Sequence, residues 1–331
     1  MKATAHANIN VALTKYWGKR DKALHLPQNS SVSVTFDDYG TTTTVEFSNQ
    51  LQQDTFILDG KDLTDGKEFS RVIQSLDLIR TQANLTHKAK VVSHNKVLTA
   101  AGLASSASGG AALVAAAARA AGLNLSPAQI SILTRRNSGS ATRSIMGGFV
   151  EWTKGEKLDG TDSIAVQVAD ENHWPQFRLI AAIINTQQKK VNSRAGMEQT
   201  VDTCPFYQGW LSEAEQDVQA AKQAIQDKDF TKIGEIAEYS TLKMHALMMT
   251  TKPPIIYWDP TTLDVMHSVA KWREEGIQAY YTIDAGPQVK IICLEKDVSK
   301  IEQNLTQIPG VQQTFVCKVG KGIEYSDSHL F

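Results

Sequence analysis

The sequence predicts an α/β protein of two closely packed parts. Three observations carry this. The chain has 331 residues, about twice an ordinary domain. Strand-like and helix-like stretches alternate along its whole length with no long linker. The character changes after about residue 190, where helical patterns take over before strands return. The break is placed at 187, giving parts 1–187 and 188–331.

The elements follow in order. Thr41 to Phe47 is rich in β-formers, and Thr55 to Leu58 is a strand closed by the hairpin pair Asp59-Gly60. From Lys67 to Ala83 the apolar residues Phe69, Val72, Ile73, Leu76 and Ile79 share one helical face. Lys88 to Ser93 is a short strand. A helix opens between Ser105 and Ser108 and runs to about Ala121, with Gly122 as its stop. Ser126 then caps another helix, with Pro127 in its first turn. Gly148 to Trp152 and Arg178 to Asn185 are strands. Helices are predicted over Ala214 to Gln226, Thr231 to Met248 and Thr262 to Glu275, with Lys252-Pro253-Pro254 as a breaker. Strands at Ala279 to Ile283 and Val289 to Leu294, a helix at Val298 to Gln307 and a strand at Gln313 to Val319 complete the order.

Composition narrows the function. Lys plus Arg number 34 against 35 Asp plus Glu, so a general nucleic-acid binder, which needs a basic excess, is not expected. The three cysteines, Cys204, Cys293 and Cys317, are far apart and form no CxxC pair, which argues against a zinc ribbon or a disulfide framework. The Ala-rich stretch from Ala100 to Leu125 carries serines and Arg119 and predicts a tightly packed helix, not a membrane span. Asn8, Asn10 and Lys15 interrupt any leader-like apolar run. A cytoplasmic location is the expectation, with no membrane partner.

Five segments carry candidate chemistry. In the first, Thr99 to Gly110, a strand enters a Gly/Ser/Ala loop that becomes a helix. Small side chains let a ligand approach the backbone, and the first helical amides lack intrahelical partners. With the helix dipole they suit phosphate. A serine-capped helix packed through its alanines accounts for the string equally well. The second segment, Asn8 to Asp21, places Lys15, Lys19 and Arg20 around Tyr16 and Trp17. Lys15 and Lys19 either share a helical face or flank a turn at Gly18. A diphosphate clamp and a solvated turn with one buried Trp both fit. Leu26 to Thr35, downstream, alternates apolar and hydroxyl residues as a strand with one polar face.

The third, Arg135 to Ser144, combines Ser138, Ser140 and Arg143; Arg offers a bidentate fork for carboxylate or phosphate, or else these arginines face solvent. The fourth, Lys189 to Arg194, gathers three cations at a strand-to-helix passage, an anion contact or a surface loop. In the fifth, Asp284 precedes Ala285-Gly286-Pro287 in a tight turn. Such an Asp is most often structural; a general base is the sharper alternative.

Together and in this order, the strings NVALTKYWGKRD, LPQNSSVSVTFDD, TAAGLASSASG, SGSATRSIMGGFVEW, KKVNSRAGM and DAGP resemble the mevalonate diphosphate decarboxylases of the GHMP kinase superfamily. The resemblance spans nearly the whole chain. AAGLASS alone points to the superfamily; KYWGKRD with it points to the decarboxylase branch. Leu98 stands where the family usually has Pro.

The resemblance implies a two-domain GHMP kinase fold: an N-terminal ribosomal protein S5 domain 2-like domain of left-handed βαβ topology, and a ferredoxin-like C-terminal domain. It implies ATP-dependent decarboxylation of mevalonate 5-diphosphate to isopentenyl diphosphate with Mg²⁺, and a homodimer. Asp284 then acts on the 3-hydroxyl and Arg143 holds the departing carboxylate, with Asn10 nearby. Tyr16, Trp17, Lys19, Ser138, Ser140, Ser193 and Arg194 bind substrate. Gly102, Leu103, Ala104, Ser105, Ser106 and Ser108 form the ATP phosphate loop, and Ser93 and Asn95 hold the adenosine. Lys15, Lys189 and Lys190 are candidates for the γ-phosphate; the family strings do not give the Mg²⁺ ligands, and Ser106 is the one candidate among these residues. Two alternatives remain: a kinase of the superfamily that stops at 3-phosphorylation, and a non-catalytic ATP-binding regulator.

Overall fold

The computed structural model describes residues 1–66, 68–96, 105–185 and 190–331. The chain forms β1 (Lys2–Ala12), β2 (Lys19–Asp21), β3 (Leu26–Pro27), β4 (Ser31–Ser48), β5 (Thr55–Leu58), β6 (Lys61–Asp62), α1 (Phe69–Ala83) and β7 (Lys88–Asn95). Next come α2 (Ser105–Ala120), α3 (Pro127–Asn137), a 3-10 turn (Ser140–Ile145), β8 (Phe149–Trp152), β9 (Ala165–Ala169) and β10 (Phe177–Ile183). The remainder is α4 (Ser193–Thr203), α5 (Tyr207–Asp227), α6 (Phe230–Met249), α7 (Pro260–Glu274), β11 (Ala279–Thr282), β12 (Val289–Leu294), α8 (Val298–Leu305), β13 (Gln313–Lys318) and β14 (Glu324–Ser326).

The first sheet runs β14-β1-β4-β7-β5-β6, with β8 on β4 and β9 on β8. The two hydroxyl-rich stretches expected as separate strands are one strand, β4, whose register against β1 shifts between Asn8 and Ile9. Its two halves pair with β8 and β7. Threonines suit this because their hydroxyls find partners inside: Thr43 with Ser93 at 2.8 Å and Thr44 with Thr4 at 2.7 Å. The Asp59-Gly60 hairpin forms between β5 and β6, both residues at positive φ. β5 lies parallel to β7, joined through α1. Ser126 and Gln129 make the capping box of α3. Helix α2 packs its buried alanines on Ala3, Ala5 and Ala7 of β1 and Val45 of β4. Only so small a side chain lets helix and sheet approach this closely.

The second sheet is antiparallel, in the order β11-β12-β10-β13. In chain order that is second, third, first, fourth, with helices after the first and third: the ferredoxin-like arrangement. The strand β10, placed in the first part by a break at 187, pairs with β12 and β13 of the second sheet. The chain therefore crosses between sheets in the β9–β10 connection, because an apolar run such as Leu179–Ile183 needs neighbours on both edges and both faces. At its end the chain returns to the first sheet as β14. One core spans both sheets: Ile9, Val11, Val34 and Phe36 pack with Phe149, Phe177, Leu179, Tyr280 and Ile292, under Val218, Ile225 and Ile233 of α5 and α6. All three cysteines are free and buried. Among the described residues, no helix is long and apolar enough to cross a membrane.

Candidate active site

Three connections meet where the sheets adjoin: the chain from β1 to β2, the 3-10 turn after α3, and the turn from β11 to β12. Asp284 occupies the last, closed by the Gly286 amide donating 2.7 Å to the Asp284 carbonyl. Its carboxylate is gripped from two sides. Lys15 Nζ donates to Oδ1 at 2.7 Å, and Lys290 Nζ to Oδ2 at 2.8 Å. The two lysine side chains are 1% and 2% exposed, whereas that of Asp284 is 36% exposed. The carboxylate is thus the accessible member of the trio. Burial by itself would raise its pKa, but the two ammonium groups hold it well below the usual carboxylate range. Burial lowers Lys15 to about 8, against the pull of Asp284 and helped by Lys290 and Arg143.

Lys15 is placed by its own backbone, whose N–H donates 2.9 Å to Ser240 Oγ of α6, while Nζ also donates 3.0 Å to the Ala12 carbonyl. Lys15 and Lys19 flank a turn and share no helical face. Gly18 makes the reversal at φ 106°, with its Cα against the Tyr207 hydroxyl, where no Cβ fits. Lys15 therefore points inward, and Lys19 sits half-buried near Arg194 and Glu198, its pKa lowered by burial and by Arg194.

Arg143, on the 3-10 turn, is 3% exposed. Its Nη1 donates 2.7 Å to Ser31 Oγ, and its Nε has no protein partner. Burial lowers its pKa to about 10, opposed by Asp284 and Tyr16, so it stays charged at neutral pH. The Tyr16 hydroxyl is also buried without a partner, its pKa raised by burial. Buried polar groups are nearly always bonded, and these two atoms are exceptions to that. Asn10 holds the turn, donating 2.7 Å to Ser144 Oγ and 3.0 Å to the Ser140 carbonyl. Ser138 and Ser140 lie side by side, Oγ to Oγ 3.3 Å. Gly139 between them lies against Trp152, and a Cβ there would meet the ring at 2.5 Å; Trp152 in turn packs edge-on to Tyr16 at 4.7 Å. Ser193 and Arg194 are exposed in the first turn of α4, capped by Asn192.

Helix α2 abuts this turn near its own N-terminus, through Gly110 and Ala141. Ser106 is exposed there, while Ser108 is buried and bonded to Thr41 at 2.8 Å. Thr41 also donates 2.7 Å to Asn95 Oδ1, tying the end of β7 to the helix. Ser93 is buried against Thr43, and Asn95 donates to Asp59 through its N–H and Nδ2. Gly102, Leu103, Ala104 and Lys189 lie outside the described residues, as does Leu98. The Trp17 ring departs from expectation: it is 2% exposed, in a core with Tyr207, Trp210, Met244 and Ala285. An indole this deep packs the helical layer against the Asp284 turn and offers a ligand no surface.

Lys290 and Ser31 are absent from the residues the sequence singled out. Lys290 is a lone cation in an otherwise apolar strand, which alone reads as an outward side chain. The hydroxyl alternation around Ser31 marked a polar face without saying what it meets.

A GHMP kinase-type fold with one carboxylate among three buried cations is the class of an ATP-using enzyme acting on a small anionic molecule. Comparison with known proteins narrows the class. Residues 7–165 match the diphosphomevalonate decarboxylase-like N-terminal domain, and residues 179–326 the mevalonate 5-diphosphate decarboxylase C-terminal domain. The diphosphomevalonate decarboxylase of Candida albicans is 38% identical over 90% of this chain and 86% of its own, and that of Homo sapiens 37% over 90% and 78%. The crystal structure of mevalonate diphosphate decarboxylase from Staphylococcus aureus superposes with a TM-score of 0.93 at 43% identity, covering 98% of each chain. A structure of MDDEF in complex with MVAPP, AMPPCP and magnesium gives 0.93 at 43%, covering 99% of each. The chain belongs to the diphosphomevalonate decarboxylase family.

Proposed function

We infer that the protein catalyses ATP-dependent decarboxylation of mevalonate 5-diphosphate, giving isopentenyl diphosphate, ADP, phosphate and CO₂. The observation that carries this is the ionised Asp284 between two buried lysines and beside Arg143, in a chain of this family. Three cations against one carboxylate leave a surplus of positive charge. A substrate carboxylate and a transferring phosphoryl group would both be drawn to it.

The proposed roles follow from the geometry. Asp284 accepts a hydrogen bond from the 3-hydroxyl and aims its oxygen at the γ-phosphoryl group. Its low pKa makes it a weak base, so it takes the proton only as the new P–O bond forms. Such timing suits the loose transition state of phosphoryl transfer. Lys15 neutralises the moving phosphoryl group. Arg143 binds the carboxylate through its unpartnered Nε, held at the correct angle by Ser31. The C3–O bond then breaks with its electron pair leaving on phosphate, while the bond from C2 to the carboxylate breaks to release CO₂ and supplies the electrons of the new alkene. Tyr16, Lys19, Ser138, Ser140 and Arg194 receive the diphosphate end, with Ser193 at the same helix start.

Nucleotide phosphates fit the N-terminus of the sixteen-residue α2, with Ser93 and Asn95 beside it for the nucleoside. Among the described residues no cluster of three His, Cys, Asp or Glu could hold a metal. Mg²⁺ takes phosphate oxygens and water readily, and the exposed Ser106 hydroxyl fits as its protein ligand. When bound, Mg²⁺ offsets phosphate charge. The free, buried cysteines support a reducing, cytoplasmic setting, and a homodimer is the assembly proposed, to be checked by sedimentation.

The deciding experiment measures CO₂ and ADP formed from mevalonate 5-diphosphate with Mg-ATP. Equal amounts are expected. ADP without CO₂ would make the protein a 3-kinase, and neither product would leave a nucleotide-binding protein.

A further inference from the structure

The two lysines on Asp284 are not equivalent. Lys15 reaches it from the far end of the chain, across the junction of the two sheets, and sits on the same connection as Tyr16, just before Lys19 opens β2. Lys290 reaches it from within one strand–turn–strand unit. It lies on β12, flanked by β11 and β10, paired with Thr282 on one side and Ala181 on the other. A central strand holds its side chain on a fixed stem, six residues from its partner. The Lys290 contact therefore survives any adjustment between the sheets, whereas the Lys15 contact spans the two.

In the free protein Lys15 Nζ spends two of its three donors, on the Ala12 carbonyl and on Asp284 Oδ1. Turning more of them to a transferring phosphoryl group means parting from Asp284. If Lys15 were the sole counter-ion, parting would leave the carboxylate, 36% exposed, with nothing to hold its position. We propose that Lys290 is a positioning residue: it clamps Asp284 Oδ2 as a permanent counter-ion, freeing Lys15 for the transferring phosphoryl group and Oδ1 for the substrate hydroxyl. This rests on the decarboxylase function inferred above.

The surroundings set the expected pH behaviour. Asp284 is faced by Lys15 from the β1–β2 connection, Lys290 from β12, Arg143 from the 3-10 turn and His245 from α6. Lys290 helps to depress both Lys15 and Asp284. Removing its charge must move both titrations to higher pH.

The test compares full-length wild type, Lys290→Met and Lys290→Arg by CO₂ release across pH. Lys290→Met is expected to lower kcat on the order of 10²-fold, the effect of a misplaced catalytic group, with KM for ATP and substrate changed only a few-fold. Its alkaline limb is expected above that of the wild type. Lys290→Arg keeps the charge and should keep the wild-type limb; that variant decides the matter if the Met variant does not fold. Near-normal kcat in Lys290→Met, a loss of kcat without movement of the limb, or a displaced limb in Lys290→Arg would each overturn the proposal. A wild type that releases no CO₂ at all would instead sink the decarboxylase function.

Discussion

Asp284 and Arg143 carry charge in places where a neutral substitute keeps the shape. Asp284→Asn changes little volume but removes the counter-ion of two buried lysines and the acceptor proposed for the hydroxyl proton. Turnover should be abolished, while ATP binding, measured by titration calorimetry, stays within a few-fold; a near-normal kcat would exclude the role. Arg143→Lys should also fail, since an ammonium cannot bond Ser31 and present a second donor in one plane. If that variant kept most of its activity, Arg143 would not be the carboxylate clamp. Lys15 must be charged to meet a phosphoryl group, and its pKa stands at about 8. The kcat/KM profile should accordingly fall as pH rises through about 8. These three residues were legible in the sequence because each sits in a string rich in Gly, Ser or cations. Lys290 was not, because nothing in Val289–Leu294 distinguishes a lysine facing a carboxylate from one facing water. Only the pairing of β11 with β12 brings it to Asp284.

Among the elements, α2 and α6 are the most constrained. Ala112, Ala115 and Ala116 of α2 are fully buried. A larger side chain there must push the helix off β1 and β4. Ala115→Leu should cost about 1–3 kcal/mol of stability, read as a lowered denaturant midpoint. In α6, His245 is 1% exposed and lies against Trp258 at 4.7 Å, with Nε2 unpartnered. Burial and then Lys15 lower its pKa to about 3, from 6.5. Between those values the unfolded chain holds a proton that the folded one refuses. Stability should therefore fall as pH drops from about 6.5 towards 3, and His245→Met should flatten that slope in thermal melts at a series of pH values. The helical spacing of α1, α5 and α6 was legible because one apolar face repeats. The union of two stretches into the single strand β4 was not, since the bulge that bends it depends on β1.

At the scale of the molecule, the two sheets are bound by one core. Phe177 of β10 packs on Phe36 and Phe149 of the first sheet and on Phe230 of α6, with ring centres 5.4–6.4 Å apart. Phe177→Ala should cost about 3–5 kcal/mol. Because it ties the second sheet to the first, tryptophan fluorescence and far-UV circular dichroism should report one coincident unfolding transition. Two separated transitions would mean that the sheets are stable apart. The shared core also explains why the active site sits at their junction: Lys15 and Arg143 come from one side, Asp284 and Lys290 from the other.

The sequence by itself determined the element types, the capped helix at Ser126, the hairpin at Asp59-Gly60 and the family, because these depend on residues close together in the chain or on strings with few alternative uses. The tertiary structure decided which sheet receives β10, that Trp17 is core, and that Asp284 has two counter-ions. Each of those depends on strand register and burial. Residues far apart in sequence acquire their charge environment only when both sheets have formed around them.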